Sequence, residues 1–183
     1  MCVKEDMTDE AILALVSNGK SREEGFRLLV GKYQERLYHI IRSRVSSHED
    51  ADDIIQDTYI KVFNNLHRFE GRSELFTWMY RIAVNEVSTH HKKQKRRRTE
   101  PLNDQEHPKT EPEVRMHDLE GKLEAVVTGL PERQQMVFRM RYYDELTYKE
   151  MASLLDLTTG ALKASFHHAV KKIEQELSAQ QIV

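Results

Sequence analysis

A proline-rich polar segment near the middle of the chain limits the folds available to it. Residues 99–112 read TEPLNDQEHPKTEP and hold three of the four prolines with almost no apolar residues. Such a segment is typical of a solvated, partly extended linker. This segment divides the chain of 183 residues, so we do not expect one continuous core. We predict two small domains, residues 1–98 and 113–183, joined by a linker at 99–112.

Both halves carry apolar residues at three- and four-residue spacing, which indicates amphipathic helices. Glycine and proline are scarce, at 7 and 4 residues, and we find no strand pattern. The expected class is all-α, with a helix-turn-helix in the second domain. We predict eight helices. Four lie in the first domain, one near 8–18 and three opened by Ser21, Ser47 and Ser73, and four lie in the second, near 113–129, from Pro131, near 147–155 and near 159–178. Ser21 and Glu24 fit a capping box, with serine at the N-cap and glutamate at N3.

Composition excludes several classes of protein. The single cysteine, Cys2, rules out a disulfide framework and a cysteine-based zinc site. No apolar run approaches membrane-spanning length, and the first residues lack the apolar core of a signal peptide. We therefore expect a cytoplasmic protein without membrane insertion.

Charge is distributed very unevenly along the chain. Residues 71–98 carry a net charge of +6, whereas residues 1–70 carry −3 and residues 99–130 carry −5. The whole chain has a formal net charge of only −2. One strongly cationic segment between acidic ones indicates a polyanionic partner better than the overall balance does.

The cationic segment belongs to the predicted third helix, which has two distinct faces. One face is apolar and suits a core, while the other combines the only tryptophan with polar and basic residues: Trp78, Arg81, Asn85, Ser88 and Lys92. Aromatic rings stack on unpaired bases, amides read base edges and cations hold phosphates. The second face therefore suits single-stranded nucleic acid. Spacing alone equally allows Trp78 to sit at the core boundary above an ordinary solvated face.

Residues 146–173 have the pattern of a helix-turn-helix. Ala152 is the small residue where two helices touch, and Asp156 tolerates the left-handed turn conformation. Thr158 or Thr159 is placed to cap the second helix. Its outer face then presents side chains suited to a DNA major groove, namely Lys163, Ala164, His167, His168 and Lys171. A two-helix packing unit without DNA is the plainer alternative.

The acidic run HEDADDIIQD, residues 48–57, has three interpretations. It starts like a calcium loop but lacks the turn glycine and the final glutamate. It also suits a helix N-terminus, or a partly apolar acidic surface for a basic protein partner. The adjacent histidine pairs, His90-His91 and His167-His168, diverge on a helix and make poor chelates. Nothing in the pattern predicts a catalytic residue, a metal site or a cofactor.

Taken in order, these motifs resemble an extracytoplasmic-function (ECF) sigma factor of the bacterial RNA polymerase sigma family. DADDIIQDTYIKVF is similar to the region that docks on the polymerase clamp, and FEGRSELFTWMYRIAVN to the segment that captures and melts the −10 element. LPERQQMVF and LTYKEMASLLDLTTGALKASFHHAVKKI are similar to the helix-turn-helix that reads the −35 element. The resemblance covers about Phe26 to Leu177, interrupted by the linker.

The resemblance implies a role for each motif. Clamp docking falls to Asp52, Asp53, Gln56 and Asp57. Capture of the single-stranded −10 element falls to Phe69, Gly71, Arg72, Ser73, Trp78, Arg81, Asn85 and Lys92. Recognition of the −35 duplex falls to Tyr148, Thr159, Lys163, Ala164, His167, His168 and Lys171. The implied partners are the core polymerase, through its clamp and flap, and promoter DNA on the nucleoid. An anti-sigma factor is common in the family, but nothing in the chain names one.

The recognition helix departs from the family pattern. Where the family commonly shows GTVKSRLHRAR, this chain has GALKASFHHAV, so Ser165, His168 and Val170 replace expected arginines. Phosphate contacts dominate affinity for DNA, so we expect this helix to bind more weakly or with a dependence on pH. Two further functions are compatible with parts of the pattern: a dimeric helix-turn-helix regulator of duplex DNA, and a non-DNA adaptor with an acidic docking helix. None of the three is an enzyme.

Overall fold

The structure is a computed structural model that describes residues 7–99 and 117–180, apart from the side chains of 97–99, 117–120 and 180. The chain divides into two compact units, Met1–Glu100 and Pro101–Val183. Throughout the described residues the regular structure is helical, so the all-α prediction is confirmed. In the same part of the chain, no helix combines the length and apolar character needed to cross a membrane.

The first unit contains four α-helices and one short 3-10 helix. The α-helices are α1 (Asp9–Ser17), α2 (Arg22–Arg42), α3 (His48–Asn65) and α4 (Leu75–Thr99), and the 3-10 helix Leu66–Arg68 follows α3. Helix α4 is the longest, with 25 residues and no proline to interrupt it. All four α-helices were predicted from the sequence, three of them from the spacing of apolar residues.

The core of this unit lies between α2, α3 and α4. Each of the three contributes apolar side chains at three- or four-residue intervals, and each of the following is almost fully buried: Leu29, Leu37, Ile40, Ile41, Ala51, Ile54, Val62, Leu75, Met79 and Ala83. Burying a leucine or isoleucine contributes about 1.5–3 kcal/mol relative to leaving it in water. The core therefore fixes which face of α4 remains outside.

Helix α1 is held tightly against α2. A Cβ added at Gly25 would lie 2.8 Å from the backbone nitrogen of Val16, so only glycine lets the helices approach this closely. The Tyr33 hydroxyl donates a 2.6 Å hydrogen bond to Asp9, and Lys32 donates to the same carboxylate. Burial raises the pKa of the Tyr33 phenol, and the bond to Asp9 raises that pKa further. The phenol therefore remains a donor at any ordinary pH.

The helix starts follow the predictions in part. The Ser47 side chain accepts from the Asp50 amide at 3.0 Å and caps α3 as expected. The capping box at Ser21 is wrong, because Ser21 has ψ near 7° rather than an extended backbone and its hydroxyl makes no capping bond. Its own amide is already donated to the Asn18 carbonyl, so Glu24 has no free donor to reach.

The second unit contains α5 (His117–Thr128), α6 (Glu132–Tyr142), α7 (Tyr148–Leu155) and α8 (Thr159–Gln180). Its core joins α5, α6 and α8 through Val127, Phe138 and Ala169. Pro131 serves as the N-cap of α6 rather than its first helical residue, one position away from the prediction. The start predicted for the helix near residue 113 lies outside the described residues.

The capping box that the structure does contain begins α7. The Thr147 hydroxyl accepts from the Glu150 amide at 3.2 Å, and the Glu150 carboxylate accepts from the Thr147 amide at 2.7 Å. The arrangement satisfies two backbone donors that a helix start otherwise leaves unpaired. It fixes the position at which the helix-turn-helix starts.

Candidate functional site

Helix α4 has the two faces that its sequence predicts. The side chains of Leu75, Phe76, Met79, Ala83 and Val87 are buried, and Ile82 is partly buried. On the other face Arg81, Asn85, Ser88 and Lys92 are exposed, and Trp78 is partly exposed. The amide, the cations and the indole ring therefore share one accessible surface.

The Trp78 ring packs against Phe69, a contact that the sequence did not predict. Their ring centroids are 5.6 Å apart, with the planes inclined at 58°. Both rings are partly exposed, so Trp78 lies at the core boundary and still presents ring surface to solvent. The two alternatives left open by the spacing are thus compatible. Phe69 belongs to an irregular segment, where no periodicity could have linked it to Trp78.

The loop before α4 presents four of the predicted site residues. Gly71 has φ of 71°, a left-handed conformation that glycine adopts without strain. Arg72 pairs with Glu70 at 2.6 Å in an exposed ion pair, which contributes little to stability and leaves the arginine accessible. Helix α4 begins at Leu75, so Ser73 is one residue too early to cap it, and its hydroxyl instead donates to the Glu74 carbonyl at 3.3 Å.

The C-terminal part of α4 is a basic extension that projects past the core. The described cations Lys92, Lys93, Lys95 and Arg96 are all exposed. The helix continues to Thr99, so these residues keep helical spacing. We call Lys92–Arg96 the basic end of α4.

The acidic residues of α3 form an exposed face on the same unit. Asp52, Asp53, Gln56 and Asp57 are all exposed. Ile60 continues this face and is 58% exposed, which is unusual for an isoleucine and was not singled out from the sequence. We call Asp53, Gln56, Asp57 and Ile60 the acidic face of α3, since their spacing puts them on one side of the helix.

A groove of about 270 Å³ separates the acidic face from α4. Its α3 wall includes Asp50, Asp53 and Asp57, and its α4 wall includes His90 and Lys93. His90 Nε2 lies 3.3 Å from Asp50 Oδ1, and Lys61 bonds at 2.5 Å to Glu86, which also lines the groove. The sequence missed these pairings, because they join residues 25 or more positions apart. The Lys61–Glu86 ion pair joins the two helices beside the groove.

The second unit contains the predicted helix-turn-helix. Helix α7 ends at Leu155, and Asp156 caps it with a left-handed backbone, at φ of 54° and ψ of 46°. Thr158, not Thr159, caps α8 by accepting from the Ala161 amide at 3.2 Å. Met151 and Leu162 are fully buried where the two helices meet. The expected turn residue and one of the two expected caps are therefore confirmed.

The outer face of α8 is exposed along four turns. It presents Thr159, Lys163, Ala164, His167, His168 and Lys171, all exposed. Tyr148, from the start of α7, is partly exposed, and its ring lies 5.8 Å from the Lys163 ammonium and 5.3 Å from the Arg141 guanidinium. Arg141 lies in α6 and was not among the predicted site residues. Its position just after the buried residues of α6 is the only feature of the sequence that could have suggested a role for it. A small residue flanked by polar and cationic ones suits insertion into a groove.

Among the side chains that the structure describes, no three histidine, cysteine, aspartate or glutamate groups come together as a metal ion would need. The run at residues 48–57 forms the first three turns of α3. A calcium loop is therefore ruled out for this run, since such a loop must wrap around its ion.

Comparison with protein families gives two matches in chain order. Residues 29–97 match sigma-70 region 2, and residues 116–173 match sigma-70 region 4. Together the matches cover more than two thirds of the chain. The first includes the acidic face of α3 and the exposed face of α4, and the second includes the helix-turn-helix.

Individual proteins resemble the chain over nearly its full length. The "ECF RNA polymerase sigma-E factor" of Haemophilus influenzae is 28% identical over 94% of this chain and 97% of its own. Among solved structures, CnrH in complex with the cytosolic domain of CnrY has a TM-score of 0.65 at 20% identity, covering 93% of this chain and 97% of that one. The sigma factor RpoE of Bartonella quintana, in complex with the anti-sigma factor NepR, has a TM-score of 0.57 at 20% identity, covering 85% and 98%. The two solved structures share the fold.

Proposed function

The chain belongs to the ECF group of bacterial RNA polymerase sigma factors, and we propose that its three exposed faces divide the work of promoter recognition among them. As a sigma factor it directs promoter-specific initiation of transcription. The acidic face of α3 docks on the polymerase clamp, α4 and the preceding loop hold the melted −10 strand, and α8 reads the −35 duplex. The domain limits stay those proposed from the sequence, 1–98 and 113–183.

The observation that carries the proposal is the pairing of Trp78 with Phe69. Phe69 supports the Trp78 ring, and Arg81 and Asn85 are exposed on the same face of α4. This face can therefore stack on a base through the indole ring, bind a phosphate through the arginine and contact a base edge through the amide. The loop from Phe69 to Ser73, with its left-handed Gly71, leaves Arg72 accessible just before α4 begins. Duplex DNA alone would make no use of an accessible indole ring.

The acidic face supports the docking role by its composition. Two carboxylates, an amide and an exposed isoleucine on one side of a helix suit a basic, partly apolar partner surface. The duplex role is supported by the fully exposed outer face of α8. Contacts of the second unit with the polymerase flap, and the −35 roles of Tyr148 and Thr159, belong to the same proposal.

The same proposal covers the remaining partners. A similar fold in a sigma factor solved with an anti-sigma factor supports an anti-sigma partner for this chain also. Sigma factors as a family are not enzymes, and this chain would redirect the catalysis of the polymerase. Its place of action is then the cytoplasm, on the nucleoid.

Run-off transcription with core polymerase, with and without the full chain, tests the function. We expect specific transcripts only when the chain is present. The variant Asp53→Lys/Asp57→Lys should abolish pull-down of core enzyme, because it reverses both charges at the centre of the docking face. The matched variant Glu23→Lys/Glu35→Lys makes the same change in charge on exposed α2 positions and should bind normally. Retained pull-down by the first variant would move the docking surface elsewhere.

A further inference from the structure

Resting on the proposed function, we infer that Phe166 is a positioning residue for recognition of the −35 duplex. Phe166 holds the ring of Tyr148 in place, so that the Tyr148 hydroxyl donates a hydrogen bond to a phosphate of the duplex. Phe166 acts through Tyr148 and makes no contact with DNA itself. It was not among the site residues expected from the sequence, because its contact with Tyr148 joins two different helices.

The ring of Tyr148 is contacted by side chains from two other helices. Tyr148 is the first residue of α7, and its ring meets the Phe166 ring of α8 edge to face, with centroids 6.4 Å apart and planes inclined at 77°. That geometry is favourable for a pair of aromatic rings. The Lys163 ammonium and the Arg141 guanidinium lie 5.8 and 5.3 Å from the centre of the same ring. Three neighbours therefore limit the directions in which Tyr148 can point.

The hydroxyl of Tyr148 remains available for a ligand. The side chain is partly exposed, and its hydroxyl has no hydrogen-bond partner among the residues that the structure describes. Tyrosine hydroxyls are among the groups that bind phosphate oxygens of DNA. The two cations beside the ring attract the same phosphates, and Arg141 donates a 2.9 Å hydrogen bond to the Leu146 carbonyl, which holds it there. The arrangement suits a phosphate at the start of α7.

Phe166 connects this ring to the core of the second unit. Its ring stacks on Phe138, with centroids 5.8 Å apart and planes inclined at 13°, and Phe138 is only 4% exposed. Phe166 is partly buried against the same cluster. A side chain that the ligand must immobilise weakens binding, whereas a side chain that is already ordered does not. The series Phe138–Phe166–Tyr148 therefore fixes the hydroxyl before DNA arrives.

The residue at position 166 also departs from the family pattern. In GTVKSRLHRAR the residue aligned with Phe166 is leucine, whereas this chain has GALKASFHHAV. A leucine side chain has no flat ring with which to stack on Phe138 and meet Tyr148 edge to face. The chain also lacks the arginines that the pattern places at positions 165, 168 and 170. Neutral phosphate contacts such as the Tyr148 hydroxyl then contribute a larger share of the affinity.

A double-mutant cycle on the full chain tests the inference. The variants are Phe166→Leu, which removes the ring, Tyr148→Phe, which removes only the hydroxyl, and the two combined. The probe is a labelled duplex with the −35 element of a promoter from which the chain directs a run-off transcript, and fluorescence anisotropy measures affinity at several salt concentrations. Leu123→Ala is the matched control, because Leu123 packs on the same core cluster from α5. Phe166→Tyr is the conservative variant that keeps the ring.

We expect Phe166→Leu to weaken binding by about three- to tenfold, because the DNA must then order the Tyr148 side chain. In the Tyr148→Phe background the same change should have less than about a twofold effect, because the hydroxyl that Phe166 positions is absent. The salt slope should stay constant throughout, since a neutral hydroxyl releases no counterion. Leu123→Ala and Phe166→Tyr should bind like the wild type. A urea titration of each variant checks that it is folded under the binding conditions.

Other results contradict the inference. An equal loss from Phe166→Leu in both backgrounds would mean that Phe166 places α8 as a whole, and a similar loss from Leu123→Ala would mean that core packing alone sets the affinity. A salt slope lower in magnitude by about 0.9 would assign the effect to a cation such as Lys163. No loss from either single variant would show that the Tyr148 hydroxyl does not contact the duplex.

Failure of the proposed function would look different. The chain would then give no run-off transcript from any promoter, whereas the cycle could still be measured on a duplex of unrelated sequence. Phosphates are common to all duplexes, so the coupling between Phe166 and Tyr148 would still decide the inference.

Discussion

The exposed faces of α4 and α8 belong to one protein but are built in opposite ways. The proposed recognition groups of α4 include an indole ring that is partly buried and packed on Phe69, so one side chain would serve both recognition and packing. The proposed recognition groups of α8 are all exposed, while buried residues such as Leu162 pack the opposite side of the helix. A surface for flipped bases needs apolar area, whereas a surface for duplex edges needs small and polar groups. Binding and stability should therefore be inseparable at Trp78 but separable on α8.

The largest effect on stability should come from the buried side of α8. Leu162→Ala removes a fully buried side chain and should lower the free energy of unfolding of the second unit by about 2–5 kcal/mol. The neighbouring exposed variant Lys163→Ala should change it by less than about 0.5 kcal/mol while weakening duplex binding. Hydrogen exchange on the full chain, resolved by residue, assigns the change to one unit. Similar destabilisation by both variants would contradict the separation proposed for α8.

The next largest effect concerns α4 and tests whether the packed Trp78 ring also binds DNA. Trp78→Ala should weaken binding to the non-template −10 strand by about 1–3 kcal/mol, because a base loses its stacking partner. Phe69→Ala should reproduce part of this loss, since it removes the ring that supports the indole. Binding is measured by fluorescence anisotropy beside a thermal melt of each variant. His168→Ala serves as the control and should bind the strand normally. Equal affinities for the wild type and Trp78→Ala would contradict the stacking of a base on the indole ring.

A smaller effect concerns charge and applies only to the α8 face. His167 and His168 are exposed between Lys163 and Lys171. His168→Arg places a permanent cation on this face, so affinity for a −35 duplex should rise and the salt slope should steepen by about 0.9. Fluorescence anisotropy at several salt concentrations measures both. An unchanged affinity and slope would show that the side chain at position 168 does not contact phosphate.

The smallest effect concerns the turn between α7 and α8. Asp156→Gly should stabilise the second unit by up to about 1 kcal/mol, because glycine adopts the left-handed backbone without strain. Asp156→Val should destabilise it by a similar or larger amount, and neither change should alter the first unit. Urea titrations of both variants measure this, and a glycine variant less stable than the wild type would mean that the aspartate side chain contributes a bond of its own.

Local rules predicted the helices and much of their exposure. Periodicity placed the faces of α4 and α8, and backbone preference placed Asp156 in the turn. The errors at Ser21 and Ser73 arose because a capping serine is recognised by its backbone angles, which the sequence does not specify. Thr147 and Glu150 have the sequence pattern of a capping box as well, so that motif could have been found.

Local sequence patterns could not predict contacts between residues that are far apart in the chain. The approach of Phe69 to Trp78 and of Asp50 to His90 depends on how α3 and α4 cross, and the crossing depends on the whole core. Exposure of Ile60 has the same origin, since an isoleucine is expected inside unless the packing leaves it out.

Helix α4 also makes the first unit sensitive to insertions and deletions in a particular way. Because the helix runs from Leu75 to Thr99 without a break, one residue inserted between Asn85 and Lys92 would turn the basic end by about 100° relative to the indole ring. Seven inserted residues would bring it back to within about 20° of its original direction, but about 10 Å farther along. The number of residues between the indole ring and the basic end therefore sets the direction in which the basic end points, independently of which residues stand between them.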